Sequence, residues 1–312
     1  MANDWPATSY EQWRPTCDTL HAHTQVLGKL AARLAPPEPE LQHAALRLTA
    51  RGWETAPLPA PDGSGSIVVA LDLREHEAVV EHSGGRVGGR GGGRGFPLAP
   101  DRPVAEVARE VLDAVRTLGG PVDIDPTPQE VAWSVPLTED YEHAHYVREQ
   151  VDDYFAAATQ AALVLAAYRA PYRGRSTPVN AWWGSFDLAV SLFSGLPADP
   201  PSQDFIMRNA MDAQEVAAGW WPGDARHPTA AFYAYAHPAP PGFAGADLGV
   251  PGAHWDGALG EYVLEWDAVR TQPDPHGVAL EFVRSAFRHA CMVCGWDPGL
   301  AASADGNPPP VS

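Results

Sequence analysis

The stretch Val179-Asn180-Ala181-Trp182-Trp183-Gly184-Ser185-Phe186-Asp187-Leu188-Ala189-Val190-Ser191-Leu192-Phe193 decides the fold class. It is aromatic and apolar, and it reads as a buried strand or a strand pair. Working outward, Phe232 to Ala236 and Glu261 to Trp266 alternate in the manner of strands. Towards the N-terminus, Ile67, Val69 and Leu71, then Ala78, Val79 and Val80, mark strands over 66–81. A weaker strand patch lies at 43–50, and the Pro, Asp and Gly residues of 57–65 turn the chain between the two. Val122 to Ile124 and Val131 to Val135 also carry strand character.

Helices fill the intervals. In segment 8–34, Leu20, Val26, Leu27, Leu30 and Leu34 fall on one arc at about 100° per residue, and Pro36 and Pro37 end it. Segment 103–118 starts on Pro103 and stops at Gly119 and Gly120. Segment 144–169 is a long alanine-rich helix, 208–219 a short one, and 275–294 a helix stopped by Gly295 and Pro298. Strands and helices therefore cluster instead of alternating as βαβ units. This predicts an α+β fold with mixed or antiparallel sheets and about four to five helices. A soft boundary near 137–143 divides an N-terminal half, 1–140, from an aromatic-rich half, 141–312. The two are expected to share a central cleft, and one continuous domain fits the same pattern.

Composition narrows the partners. The 312 residues carry a formal charge of -18 and are 45% hydrophobic. So negative a surface repels phosphate backbones and anionic lipid, so neither nucleic acid nor a membrane surface is the expected partner. No run approaches the 18 or so apolar residues of a membrane span, and residues 1–13 lack the basic and apolar regions of a secretion signal. Three cysteines make no disulfide framework, and a cytoplasmic location is expected. Cys291 and Cys294 end a helix, the wrong end for lowering a thiol pKa, and no second pair exists to complete a zinc site. Residues 84–95 are almost all Gly and Arg and read as a flexible loop; they match no phosphate-binding template. The elbow of serine hydrolases, H-E-x-x-H and the EF-hand loop are absent too.

Four constellations carry chemistry. Lys29 is the sole lysine among 21 cationic residues, and His21, Gln25 and Lys29 recur every fourth residue, on neighbouring helical turns. An imidazole beside an ammonium lowers both pKa values, which suits a general base or an imine-forming lysine, although a solvated helix face gives the same spacing. In an extended strand, Trp183, Ser185 and Asp187 share one face, with Asn180 and Trp182 on the other. A carboxylate in so apolar a run needs a partner, and Arg51 or Lys29 are candidates. Gln214 and Glu215 precede Trp220 and Trp221 and the Pro222-Gly223 turn; on a helix, Glu215 and Met211 share a face, and two tryptophans suit a pocket wall or a core. Tyr233, Tyr235 and His237 share a strand face, as do Glu261, Val263 and Glu265. His143 and His145 flank a helix start, where solvated histidines are common.

Taken together, the strings Leu20-His21 through Gly28-Lys29, Thr49-Ala50-Arg51-Gly52, Trp183-Gly184-Ser185-Phe186-Asp187-Leu188, Gly219-Trp220-Trp221-Pro222-Gly223, Phe232-Tyr233-Ala234-Tyr235 and Gly260-Glu261 to Arg270 resemble a bacterial family of uncharacterised conserved proteins. The resemblance runs through nearly the whole chain and implies no activity. It does imply a comparison: relatives carry histidine where this chain has Asn180 and Gln214. That would fit a metal site or an acid/base pair altered in this member.

The expectation is a small-molecule enzyme that needs no cofactor and binds no metal. It would use acid/base or lysine chemistry on an aromatic or amino-bearing metabolite. Lys29, His21, Asp187 and Glu215 are the candidate catalytic groups. Gln25, Arg51, Asn180, Trp183, Ser185, Gln214, Trp220, Trp221, Tyr233 and Glu261 are the candidate ligand-binding groups. The alternatives are a non-catalytic binding protein using the same cleft, and a metal-dependent enzyme.

Overall fold

A computed structural model describes residues 5–87 and 90–304, with backbone alone for 85–87 and 90–92. The long helix α1 (Tyr10–Leu34) leads into a 3-10 turn (Pro39–Ala44). Then come β1 (Arg47–Leu48), β2 (Gly52–Glu54), β3 (Leu58–Pro59), β4 (Ser66–Asp72), β5 (Glu77–Val87), β6 (Arg90–Pro97) and α2 (Val104–Gly119). The second half holds α3 (Arg148–Arg169), β7 (Asn180–Trp182), β8 (Asp187–Pro197), α4 (Phe205–Ala210), β9 (Ala213–Trp221), β10 (Ala231–His237), β11 (His254–Asp256) and β12 (Glu261–Glu265). Three helices close it: α5 (Trp266–Arg270), α6 (Pro275–Cys294) and α7 (Pro298–Ser303). The fold is α+β.

Both sheets have six strands and pair antiparallel throughout. The first runs β1-β2-β4-β5-β6, with β3 also on β4; the second runs β11-β12-β10-β9-β8-β7. They touch where Leu46 and Ala181 exchange N–H···O bonds of 3.0 and 2.9 Å. Helices α1 and α2 pack on β4, while α3 and α6 pack on β9.

Four sequence expectations are corrected. Residues 208–219 form α4 and then strand β9, because the alanines that suggest a helix are buried strand residues: Ala213, Ala217 and Ala218. The 179–193 stretch is a hairpin turned at 183–186, so strand parity does not relate Trp183 to Asp187. Residues 122–124 and 131–135 join no sheet. The Gly/Arg segment expected as a loop pairs as the ends of β5 and β6; only residues 88 and 89 lie outside the described residues.

The two halves meet in an aromatic column. Phe186 ends the β7–β8 turn with φ of 57°, a left-handed backbone that costs a non-glycine residue roughly 1–2 kcal/mol. Its ring stacks on His21 at 4.8 Å, Trp53 at 5.2 Å and Tyr154 at 5.2 Å. These come from α1, β2 and α3. Trp13 stacks on Tyr154, and Trp220 packs against Tyr154 and Trp266 beyond. The packing around Phe186 holds this strained turn in place. The β4–β5 turn has the same form: four residues, closing on His76 with φ of 55°.

Candidate functional site

Strand register builds the site. Alternate residues of β8, β9, β10 and β12 project to one side of the second sheet. Across it, Ala189 pairs with Gly219, Gly219 with Tyr233 and Tyr233 with Val263; one step along, Ser191 pairs with Ala217 and Ala217 with Tyr235. The opposite face carries Leu188, Val190, Val216, Trp220, Phe232 and Leu264, all core. The first face is different in kind. Small residues form its floor, and Asp187, Glu215, Tyr233, Tyr235 and Glu261 stand on it.

Asp187 anchors one end. It accepts hydrogen bonds from the hydroxyls of Ser185 and Tyr233 and is 6% exposed. These hydroxyls, and neither Arg51 nor Lys29, are its partners. Burial pushes its pKa up, and the two hydroxyls work against that rise. Glu130 completes this end; no sequence signal marks it, because it sits on a structureless loop. Its residue is exposed overall with φ of 59°, yet its carboxyl folds in over Gly184, where a Cβ would collide with it. Burial of that carboxyl and the nearby Asp187 charge raise its pKa. Burial and Asp187 likewise push Glu261 up to about 7. Gly219 is needed here: the Tyr233 ring lies where its Cβ would be.

Glu215 anchors the other end, 4% exposed and facing Ser191. Burial pushes it up to about 7, with Glu40 adding to the rise and Ser191 and Arg175 opposing it. Arg175 pairs with Glu40 at 2.6 Å and lies 3.9 Å over the Phe193 ring. Tyr235 stacks on Tyr233 at 6.3 Å and senses the charges of Glu215, Glu261 and Asp187, so one field joins both ends. Trp221 packs on Tyr233 at 5.4 Å. Among the described residues, no Arg or Lys forms an ion pair with Asp187, Glu130, Glu215 or Glu261.

The remaining candidates lie elsewhere. His21 is buried, and its Nε2 lies 2.9 and 3.0 Å from the carbonyls of Trp183 and Gly184. Both oxygens accept, so Nε2 carries the proton and holds the turn; burial lowers its pKa to about 4. Gln25 donates to the Gln129 carbonyl and accepts from the Gln129 N–H, fixing the loop that carries Glu130. Lys29 lies 5.6 Å over the Trp183 ring; burial lowers its pKa, opposed by Asp125. Trp183 lies flat on Gly28 and donates to the Ala44 carbonyl. Arg51 pairs with Glu54 and Glu81 on the first sheet. Asn180 accepts from Arg47 and donates to Gln42, and Gln214 accepts from Ser194. Trp220 is a core residue, since neighbours on a strand face opposite ways.

Positions 180 and 214 cannot share an ion. Asn180 pairs with Ala189, while Gln214 bonds Ser194, five residues further along β8. That is about 17 Å at strand spacing. Among the described residues no group of three or more His, Cys, Asp or Glu has metal-holding geometry, and no helix is long and apolar enough to cross a membrane.

The raised carboxyls have a consequence for stability. An unfolded glutamate releases its proton near pH 4.3, whereas folded Glu215 and Glu261 release theirs at about 7. Between those values the folded state binds more protons, so stability falls as pH rises and levels off above about pH 8. Buried His21 and His23, held down at about 4, oppose this trend below about pH 6.5. The glutamate contribution is therefore read as the wild-type urea midpoint minus that of E215Q/E261Q, a difference that falls from about pH 5 to 8. A wild-type-minus-variant difference that stays flat or rises with pH would refute the assignment.

Fold and site thus define an α+β protein with an acidic, tyrosine-walled sheet face. The chain belongs to the family of unknown function DUF5996, whose model matches residues 5–303. No curated protein and no solved structure matches it.

Proposed function

We propose that this protein is a small-molecule enzyme that carries out acid/base chemistry on an amine-bearing, aromatic substrate at the acidic face. One observation carries the reading: Asp187, Glu215 and Glu261 share a sheet face with two tyrosines and a tryptophan, the loop residue Glu130 crowds Asp187 at one end, and none of the four is ion-paired to Arg or Lys. Arg226 and Arg175 act on these carboxyls without forming an ion pair with them and do not reverse their rise. Crowded carboxylates with so little neutralisation favour a ligand that supplies a cation. The ammonium would sit between Asp187 and Glu261, and the aromatic part against Tyr233, Tyr235 and Trp221. Glu215 and Glu261, titrating near neutrality, are suited to give and take protons. Lys29 has no charge contact with these acids and is not assigned a step; Lys29→Arg leaves turnover unchanged under this reading.

The test compares 2-phenylethylamine with its neutral isostere 2-phenylethanol by thermal shift. The amine raises Tm and the alcohol does not. Equal responses, or none, would remove the reading. A non-catalytic binding protein is the second reading, favoured by the structural ties that fix His21 and Lys29. Mass spectrometry of amines incubated with the protein separates the two: a new product supports the enzyme, while saturable binding without product supports the carrier.

A further inference from the structure

We infer that His143, oriented by Asp140, is a second acid/base centre, lying outside the acidic face and acting on oxygen nucleophiles. Asp140 is fully buried, and its carboxylate divides its work. Oδ1 accepts the backbone N–H groups of Glu142 and His143 at 3.0 Å each, which makes the turn. Oδ2 is left for the imidazole, 2.7 Å from His143 Nδ1. An ionised acceptor there fixes the neutral tautomer: the proton sits on Nδ1 and the lone pair on Nε2. Burial opposes the charge on Asp140, yet its hydrogen bonds from His143 and the turn outweigh that and lower its pKa. At His143 burial works against the charged form, and the Asp140 bond together with the charges of Asp140, Asp18 and Glu142 overcomes it and raises the imidazole.

Comparison with other histidines sets this one apart. His21 Nε2 is held by two carbonyls, and His76 lies between Tyr146 and Asp152. His227 is shared by Thr229 and Glu265, and His289 faces the carbonyls of Gly242 and Phe243. His23 is 2% exposed with its pKa lowered to about 4. His143 alone combines a buried carboxylate on one nitrogen with a second nitrogen that has no hydrogen-bond partner among the described residues. Its side chain is 15% exposed, so that nitrogen is within reach of solvent. Trp133 packs against the imidazole at 4.7 Å, on the loop that also carries Glu130. Asp18 and Glu142 supply negative charge nearby, so an anionic substrate is disfavoured and a neutral one fits.

The chemistry is that of a base with an orienting acid. His143 Nε2 accepts the proton of a water or hydroxyl as its oxygen bonds to a carbonyl carbon. The imidazolium, stabilised by Asp140, returns that proton to the leaving oxygen as the carbon–oxygen bond breaks. Asp140 acts through His143 and is a positioning residue.

The probe is p-nitrophenyl acetate, a neutral activated ester, hydrolysed by the full chain. His143→Gln lowers the rate of p-nitrophenolate release by about tenfold or more, short of the hundredfold typical of a matched substrate. A cooperative urea transition retained by the variant shows that the fold persists. The pH–rate midpoint of the wild type lies above the usual histidine value, and Asp140→Asn moves it down. Because Asp140 is buried, its variant is backed by a measurement on the wild type: NMR titration of His143 gives the same raised midpoint. Hydrolysis unaffected by His143→Gln, or a His143 midpoint at or below the usual histidine value, overturns the inference.

Discussion

Phe186→Ala lowers the free energy of unfolding by about 3–5 kcal/mol, a large share of the total for a chain of this kind. The ring is 3% exposed and contacts aromatic groups from three separate elements. Removing it leaves a hole between both halves, and the rigid rings around it cannot collapse to fill the space. The left-handed backbone strain at residue 186 remains, without the packing that offsets it. Urea denaturation measures the loss, and Leu163→Ala, at a residue 53% exposed, serves as the reference with little change. A loss below about 1 kcal/mol would show that the column does not join the halves.

Asp187→Asn abolishes most of the response to 2-phenylethylamine. Asn keeps the shape, and Tyr233 and Ser185 can still hydrogen-bond it, so the fold is retained. What disappears is the anion. A charge-assisted hydrogen bond contributes roughly 1.5–3 kcal/mol, so affinity falls by about 10- to 150-fold. Removing a buried charge also makes the unliganded protein no less stable at neutral pH. Calorimetric titration of wild type and variant separates the effects. An unaltered amine affinity would place the ligand away from Asp187. Asp187→Ala is a poorer test, because it strands two buried hydroxyls as well.

The long helices are legible because their leucines and valines recur at helical spacing against polar neighbours, as in α1 and α2. Strand β9 is not. Its core run, Val216 to Trp220, is buried on both faces, so alternation vanishes and alanine suggests a helix. The turn at 183–186 is hidden because two of its four residues, Trp183 and Phe186, are aromatic and mask the Gly184-Ser185 turn signal. Asp187, Glu215, Tyr233 and Glu261 are visible as polar groups in aromatic strings. Their shared face depends on register between strands distant in sequence, which no local pattern encodes. Glu130 and the partnership of Asp140 with His143 are invisible for the same reason: each lies in a loop whose position the rest of the fold sets.

The reciprocal bond between Leu46 and Ala181 reaches beyond joining two sheets. The β1 end of one sheet and β7 of the other are outermost strands, whose unpaired amides would invite a foreign chain to add itself. Here one bridge, from Leu46 beside β1 to Ala181 in β7, brings the two margins against each other. Of the remaining margins, β11 is only 3 residues long, and β6 carries an exposed arginine at Arg94. Both are poor templates for fibril growth, so the molecule guards itself against sticking to its own copies through the ends of its sheets as well as through its charge.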